Sequence, residues 1–225
     1  MAQIQDSLTV VFRVTDGEWG RRAAAAAMML YEHSVPKRVE IRRYASAGPA
    51  HERVSSGYEE LAGFGTQWLL SVDADSYVCG DVWALAYGAV LRDMRCAIRH
   101  SPLQAKERNG WREDVYRALF ADAGVPYRRL GTTCAFLLRR DVADGVLRSV
   151  RTWRAWIDQR GEKLSRAYHH AQAAFALALA LAGVAEDETW WWGPGELSFE
   201  GEPPGLIHHE AHKNYRLPYE RKEGC

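Results

Sequence analysis

Two carboxylates separated by one residue, Asp73 and Asp75, follow the apolar run Trp68-Leu69-Leu70-Ser71-Val72. Such a run reads as a buried strand, which puts the pair at a strand's C-terminal end. There both side chains can turn toward a hard divalent cation, magnesium or manganese, and leave coordination positions for phosphate and water. By residue type alone the triplet is equally a solvated acidic turn. A second concentration of metal-capable groups comes late, in His208-His209-Glu210-Ala211-His212-Lys213. Read without context it is a surface histidine cluster or a metal site. Asp16, after the first apolar run, is either a ligand-facing acid or the N-cap of a following helix. Trp190-Trp191-Trp192 offers flat apolar faces for stacking on an acceptor sugar or base, with core packing the default for at least one ring.

The elements that position these groups alternate. Leu8 to Val14 reads as a strand, Glu18 to His33 as an alanine-rich helix ending before Pro36, and Arg38 to Tyr44 as a second strand. A Gly/Pro/Ser-rich loop is expected over 45–57, then a short helix at Tyr58 to Ala62 and the strand at Trp68. Beyond the acidic pair, helices are expected at Val82 to Leu91, Arg112 to Ala123, Val142 to Gln159 and Ser165 to Leu181. Strands are expected at Arg95 to His100 and Thr132 to Leu138, with a short Leu206-Ile207 strand in a tail that folds back onto the sheet. This order predicts an α/β fold with a mostly parallel central sheet flanked by helices. In open sheets of that kind ligands bind beyond the carboxyl ends of the strands, where the acidic pair falls.

Composition narrows the class. The 225 residues suit a single domain over 1–225, and 29 basic residues balance 29 acidic ones, so no global field draws the chain to nucleic acid or anionic lipid. Arg139-Arg140 and the arginines of 148–154 alternate with apolar residues and read as solvated helix faces. The longest apolar stretch, Ala173 to Ala182, is far short of the roughly 20 residues a membrane span needs, so no membrane insertion is expected. Met1 to Ser7 has no basic-then-apolar pattern of a leader, and the four scattered cysteines make no metal spacing. Reduced thiols and a cytoplasmic location are expected. No fixed-period repeat is present.

From Trp68 to Trp83 the order is apolar strand, Asp73-Ala74-Asp75, Val78, Gly80-Asp81 and Val82. This order resembles family 8 glycosyltransferases (glycogenin-like and bacterial galactosyltransferase-like) and the wider GT-A fold. The resemblance extends, in the same order, to Thr132 to Leu138, Ala171 to Leu181 and Ile207 through Lys213. It implies a Rossmann-like nucleotide-diphospho-sugar transferase fold. It further implies that Asp73, Asp75 and His208 bind manganese or magnesium, with His212 a rival to His208, and that Lys213 meets the donor phosphates. Thr15 and Asp16 match the place that receives base and ribose, and His170 or Gln172 the place that faces the sugar, with His169 a further candidate. The chain departs from the family at three points: Lys213-Asn214-Tyr215 replaces Lys-Pro-Trp after a shorter His-to-Lys spacing, Thr132-Thr133-Cys134 replaces Asn-Ser-Gly, and Ala171-Gln172 replaces Asp-Gln.

The resemblance therefore implies a metal-dependent hexosyltransferase-like enzyme, retaining by family. It would move a sugar from a nucleotide-diphosphate donor, UDP-sugar first, to a hydroxyl on a small molecule, a protein or a hydroxylated nucleic-acid base. Two other readings stay open. One is a nucleotidyltransferase of similar fold, although Asp16-Gly17-Glu18-Trp19-Gly20 is sparse for a phosphate-binding loop. The other is a non-catalytic nucleotide-sugar-binding protein.

Overall fold

The computed structural model describes residues 8–14, 39–43, 58–59, 61–73, 76–100, 113–160 and 167–210. The expected helix at Glu18 to His33 and the loop over 45–57 lie outside them, as do Thr15, Asp16, Asp75, His212 and Lys213. Elements are numbered along the described residues. Strands are β1 (Leu8–Val14), β2 (Val39–Arg43), β3 (Trp68–Asp73), β4 (Ser76–Val78), β5 (Cys96–His100), β6 (Gly131–Arg139), β7 (Thr189–Trp192), β8 (Leu197–Phe199) and β9 (Ile207–His209). Helices are α1 (Trp83–Leu91), α2 (Glu113–Asp122), α3 (Arg140–Gln159) and α4 (Ala167–Leu181).

Six strands form a central sheet in the order β2-β1-β3-β6-β5-β7. The β1/β2, β1/β3 and β5/β7 pairings are parallel; β6 runs antiparallel to both β3 and β5. The sheet is thus mostly parallel with one reversed strand. That reversal matters for position, because β6 starts at the edge where β3 and β5 end. Val72 pairs with Ala135, and His100 pairs with Gly131 across a register shift. A side chain at Gly131 would collide with Ile98, so glycine is what lets β6 enter beside β5.

Side chains alternate between the two faces with the period of two that a strand imposes. Val10, Phe12, Trp68, Leu70, Val72, Ala97, Ala135 and Leu137 pack on one side against α1 and the apolar residues of a second, smaller sheet. Val11, Leu69, Cys96, Ile98, Phe136 and Leu138 pack on the other side against α2, α3 and α4. Both faces are covered, which is why β3 and β6 read as near-continuous apolar runs rather than as alternating ones. In α3 the buried positions Val142, Ala143, Val146, Leu147, Val150, Arg154 and Ile157 follow helical spacing and form one stripe. In α4 every residue from Ala171 to Leu179 is buried, as expected for a helix apolar all round. Its alanines let it lie close to α3.

The second sheet has three strands in the order β4-β9-β8. Central β9 pairs antiparallel with β4 and parallel with β8. The short strand expected at Leu206-Ile207 is present as β9, and it joins this second sheet rather than the central one. Arg99, next to the end of β5, ties the two sheets together. Its guanidinium meets both Glu202 carboxylate oxygens at 2.6 Å, donates to the Leu197 carbonyl, and lies 4.5 Å over the Phe199 ring.

The three tryptophans are strand β7, at the edge of the central sheet, and core packing, the default reading for at least one of them, holds for Trp192. Trp192 is buried, Trp190 packs on α1 with Arg92 4.4 Å over its ring, and Trp191 faces the other way. The cysteines also divide. Cys96 and Cys134 are free and buried, and burial pushes the Cys96 thiol up to about 12, so it is an inert core group. Cys79 is disulfide-bonded, which corrects the expectation of four reduced thiols. Among the described residues no helix is long and apolar enough to cross a membrane.

Candidate functional site

Strand β3 delivers Asp73 to the carboxyl edge of the central sheet, and after two residues the chain re-enters a ladder as β4. There Ser76 pairs with His209, Tyr77 with His208 and Val78 with Ile207. Residues 133 positions apart are therefore held side by side by backbone hydrogen bonds. The ladder pairs the strand that follows Asp73 with the strand that carries the late histidines.

The turn after β4 is built to admit β9. Cys79 N–H donates to the Leu206 carbonyl at 2.9 Å, and a Cβ on Gly80 would lie 2.7 Å from Leu206 Cδ2. Asp81 then accepts from Trp83 N–H at 3.0 Å, satisfying a donor at the start of α1. Gly80 and Asp81 thus have local structural work in this chain, a close approach and an acceptor for the first amide of α1.

His208 is buried between neighbours that fix its ring. Nδ1 is 2.8 Å from Ser198 Oγ on β8, and the ring stacks on Tyr77 with centroids 6.3 Å apart and planes 22° apart. Its Nε2 lies 3.8 Å from Glu210 Oε1, and the other Glu210 oxygen accepts from the Tyr77 hydroxyl at 3.4 Å. His209 projects to the opposite face, as strand alternation requires. It meets Ser76 Oγ at 3.1 Å through Nδ1 and Phe199 edge-on at 6.1 Å. The two adjacent histidines are thus separated by the sheet, each with its own serine.

The first turn of α4 approaches the same edge, because α4 leads from there to the start of β7, and β7 runs parallel to β5. Gln172 is 7 % exposed, and its Oε1 is a buried acceptor with no hydrogen-bond partner. A buried orphan of that kind costs roughly 1–3 kcal/mol, so it is either a site awaiting a donor or an unexplained loss. His170, two residues earlier, is engaged: Nδ1 sits 2.6 Å from Asp158 Oδ1, and Asp158 also accepts from Arg154 at 2.9 Å. Burial pushes the Asp158 carboxyl up, but the hydrogen bonds from Arg154 and His170 outweigh it and hold it below its ordinary value. The pair fastens the end of α3 to the beginning of α4. Ala171, where the resemblance would place an acid, is buried.

Thr132, Thr133 and Cys134 open β6 level with and beyond the end of β3, and all three are buried. One contact at this edge has no signal in the sequence beyond a histidine ending a strand. His100 stacks face to face on Trp191, with centroids 3.9 Å apart and planes 3° apart, and Arg129 Nη1 lies 3.4 Å from its Nε2. Burial first, then the Arg129 charge, hold the His100 imidazole below its usual range. Ser198 and Glu202 are also invisible in the sequence, because three-residue strands give no periodicity to read.

Of the residues singled out from the sequence, the structure places Asp73 at the end of β3, His208 on β9, which pairs with the β4 strand that follows β3, and Gln172 in the second turn of α4. It ties His170 to Asp158. Among the described residues no three His, Cys, Asp or Glu side chains converge in a metal-binding arrangement; Asp75 is not among them.

No family model matches the sequence, and no curated protein matches it. Among solved structures the chain is similar to the apo form of mouse xyloside xylosyltransferase 1, with a TM-score of 0.54 and 10% identity over 94% of this chain and 100% of that one. At that identity the likeness is one of architecture. The fold is of the GT-A glycosyltransferase type.

Proposed function

We propose that this chain transfers a sugar from a nucleotide-diphosphate donor, a UDP-sugar first, to a hydroxyl acceptor, with manganese or magnesium held by Asp73, Asp75 and His208. The observation that carries this reading is the β4/β9 ladder. It pairs the strand that follows Asp73, which ends β3 at the carboxyl edge of the sheet, with the strand that carries His208, which supports this reading. Carboxylate oxygen with imidazole nitrogen is a donor set suited to manganese. A cation bound there supplies Lewis acidity toward the leaving diphosphate, where negative charge grows as the glycosidic bond breaks.

The chain's own groups divide the remaining work. Lys213 adds a point charge at the phosphates, and Thr15 with Asp16 receive base and ribose. Gln172 offers its buried Oε1 to a sugar hydroxyl, which would satisfy an acceptor that otherwise has no partner. His170, held by Asp158, orients that first helical turn and is the second sugar-side candidate. The family resemblance favours retention of configuration. The acceptor is a small molecule, a protein side chain or a hydroxylated base.

The test is a panel of UDP-, GDP- and other nucleotide sugars with Mn2+, reading donor hydrolysis and thermal stabilisation. The reading expects one donor class to be hydrolysed in a metal-dependent way, with the activity abolished in Asp73→Ala. Donor binding that is indifferent both to metal and to replacement of Asp73 and Asp75 would remove it. A second reading has one observation behind it: buried Ala171 supplies no acid near the sugar. A binding protein would be stabilised by the donor yet leave it intact over long incubation.

A further inference from the structure

We propose that Arg129 is an oxyanion-binding residue on the acceptor side of this site, so that the hydroxyl acceptor carries a phosphate or carboxylate group. This rests on the reading of the chain as a sugar transferase. The observation behind it is an arginine held in place with no acid to meet. Arg129 is exposed, and among the described residues no carboxylate pairs with its guanidinium. Glu186 accepts from the Arg129 backbone N–H at 2.7 Å instead. Arg99, at the same edge, is by contrast neutralised by both oxygens of Glu202.

The guanidinium is oriented by its neighbours rather than left to sweep through solvent. His100 stacks face to face on Trp191, with centroids 3.9 Å apart, which holds the imidazole plane. Its Nε2 lies 3.4 Å from Arg129 Nη1. A guanidinium is always charged and only donates, so Nε2 is the acceptor in that contact. Burial and the Arg129 charge favour the neutral imidazole that the contact needs, with Glu186 opposing. His100 therefore engages one N–H of the fork without cancelling its charge. A planar fork set in advance binds phosphate or carboxylate through paired, charge-assisted hydrogen bonds.

The fold puts that fork where an acceptor would stand. Strands β3 and β5 both run antiparallel to β6, so Asp73 and His100 end at the same edge of the sheet. Their strands are two places apart in the order β3-β6-β5, about 10 Å at the usual spacing between strands. Arg129 comes two residues before β6 enters between them. A diphosphate at Asp73 and an oxyanion at Arg129 would thus be separate groups, with room for the transferred sugar between them.

The experiment reads Arg129 directly. The full chain, labelled with 15N arginine and supplied with UDP and Mg2+ for the donor side, is titrated with a hexose phosphate, a hexuronate and the parent hexose. The signal followed is the Arg129 side-chain Nε–H, assigned by its loss in Arg129→Lys. At least one anionic sugar should shift it saturably, with an affinity at least about 10-fold above the neutral hexose, as a charged hydrogen bond supplies. The tighter of the two identifies the oxyanion. His100→Ala, which frees the fork, should weaken that binding by about 10-fold. Arg92, whose guanidinium lies over Trp190, should answer only to ionic strength. An Arg129 signal that moves no more than that of Arg92, or equally with all three sugars, overturns the proposal. So does a His100→Ala variant that folds and binds the anionic sugar as the wild type does. Failure of the underlying function looks different: a chain whose Arg129 takes an anionic sugar but which hydrolyses no nucleotide sugar loses the transferase reading and keeps the oxyanion site.

Discussion

The two sheets are made by different physics. The central sheet is held by apolar area: its strands run up to nine residues, both faces are buried, and side-chain hydrogen bonds play little part in it. The small sheet has strands of three residues that add Tyr77, Val78, Leu197 and Ile207 to the core, and it is further pinned by polar side-chain contacts between its strands and to the central sheet. Ser198 with His208, Ser76 with His209, and Arg99 with Glu202 are its fasteners. One sheet makes the fold and the other arranges the site, so damage to each should look different.

The largest effect should come from the core. Phe136→Ala removes a fully buried ring that packs on Phe175 at 4.8 Å and Tyr58 at 6.0 Å, and should cost about 3–5 kcal/mol in denaturant unfolding. Asp73→Ala should cut metal-dependent donor hydrolysis by about 100-fold or more, roughly 2.7 kcal/mol in barrier, with little change in the unfolding midpoint. Steady-state kinetics beside a melt checks both halves of that statement. Arg99→Ala should cost about 1.5–3 kcal/mol, the worth of hydrogen bonds to a charged group. Its signature should be local, with amide protection lost over 197–209 and retained in β3 and β6 by hydrogen exchange.

Acid sharpens the same contrast. Hydrogen bonds from Arg99 hold the Glu202 carboxyl below its ordinary value, with burial opposing and the Phe199 amide assisting. A carboxyl depressed in the folded state contributes stability that is fully present above its unfolded value and is lost as pH falls through the lower folded one. The unfolding midpoint should therefore drop across that acid window, and Glu202→Gln should flatten the drop. The smallest effect belongs to α1. Leu91 is 65% exposed, and Leu91→Lys should change stability by no more than about 0.5 kcal/mol, which separates burial from apolar character.

What can be read from the sequence follows that division. Strands β1, β3 and β6 are legible as compact apolar, β-branched-rich runs, α4 as an alanine- and leucine-rich run, and α3 by its helical-spacing apolar stripe. The reversed direction of β6 is not, since strand–helix alternation says nothing about polarity. Tryptophans 190–192 leave a platform and core packing both open, because aromatic residues suit either, and pairing with β5 decides it. Asp73 and His208 stand out through a resemblance in motif order. Ser198 leaves no trace, since its contact with His208 comes from strand pairing and not from its neighbours along the chain.

Strand β9 carries two histidines in a row, and a strand of three residues grips its partners weakly. A slip of one position would turn His209 to the face that His208 occupies and would leave a site with the right kind of residue in the wrong place. Such an error is silent to the ladder itself, because any backbone amide will pair. It is not silent to the serines. Ser198 lies level with His208 in register, and Ser76 lies level with His209. A slipped strand would break both of these contacts together. Each serine thus acts as a proofreader for alignment, and the paired histidines, which look interchangeable in the sequence, are made distinguishable by which hydroxyl each one meets.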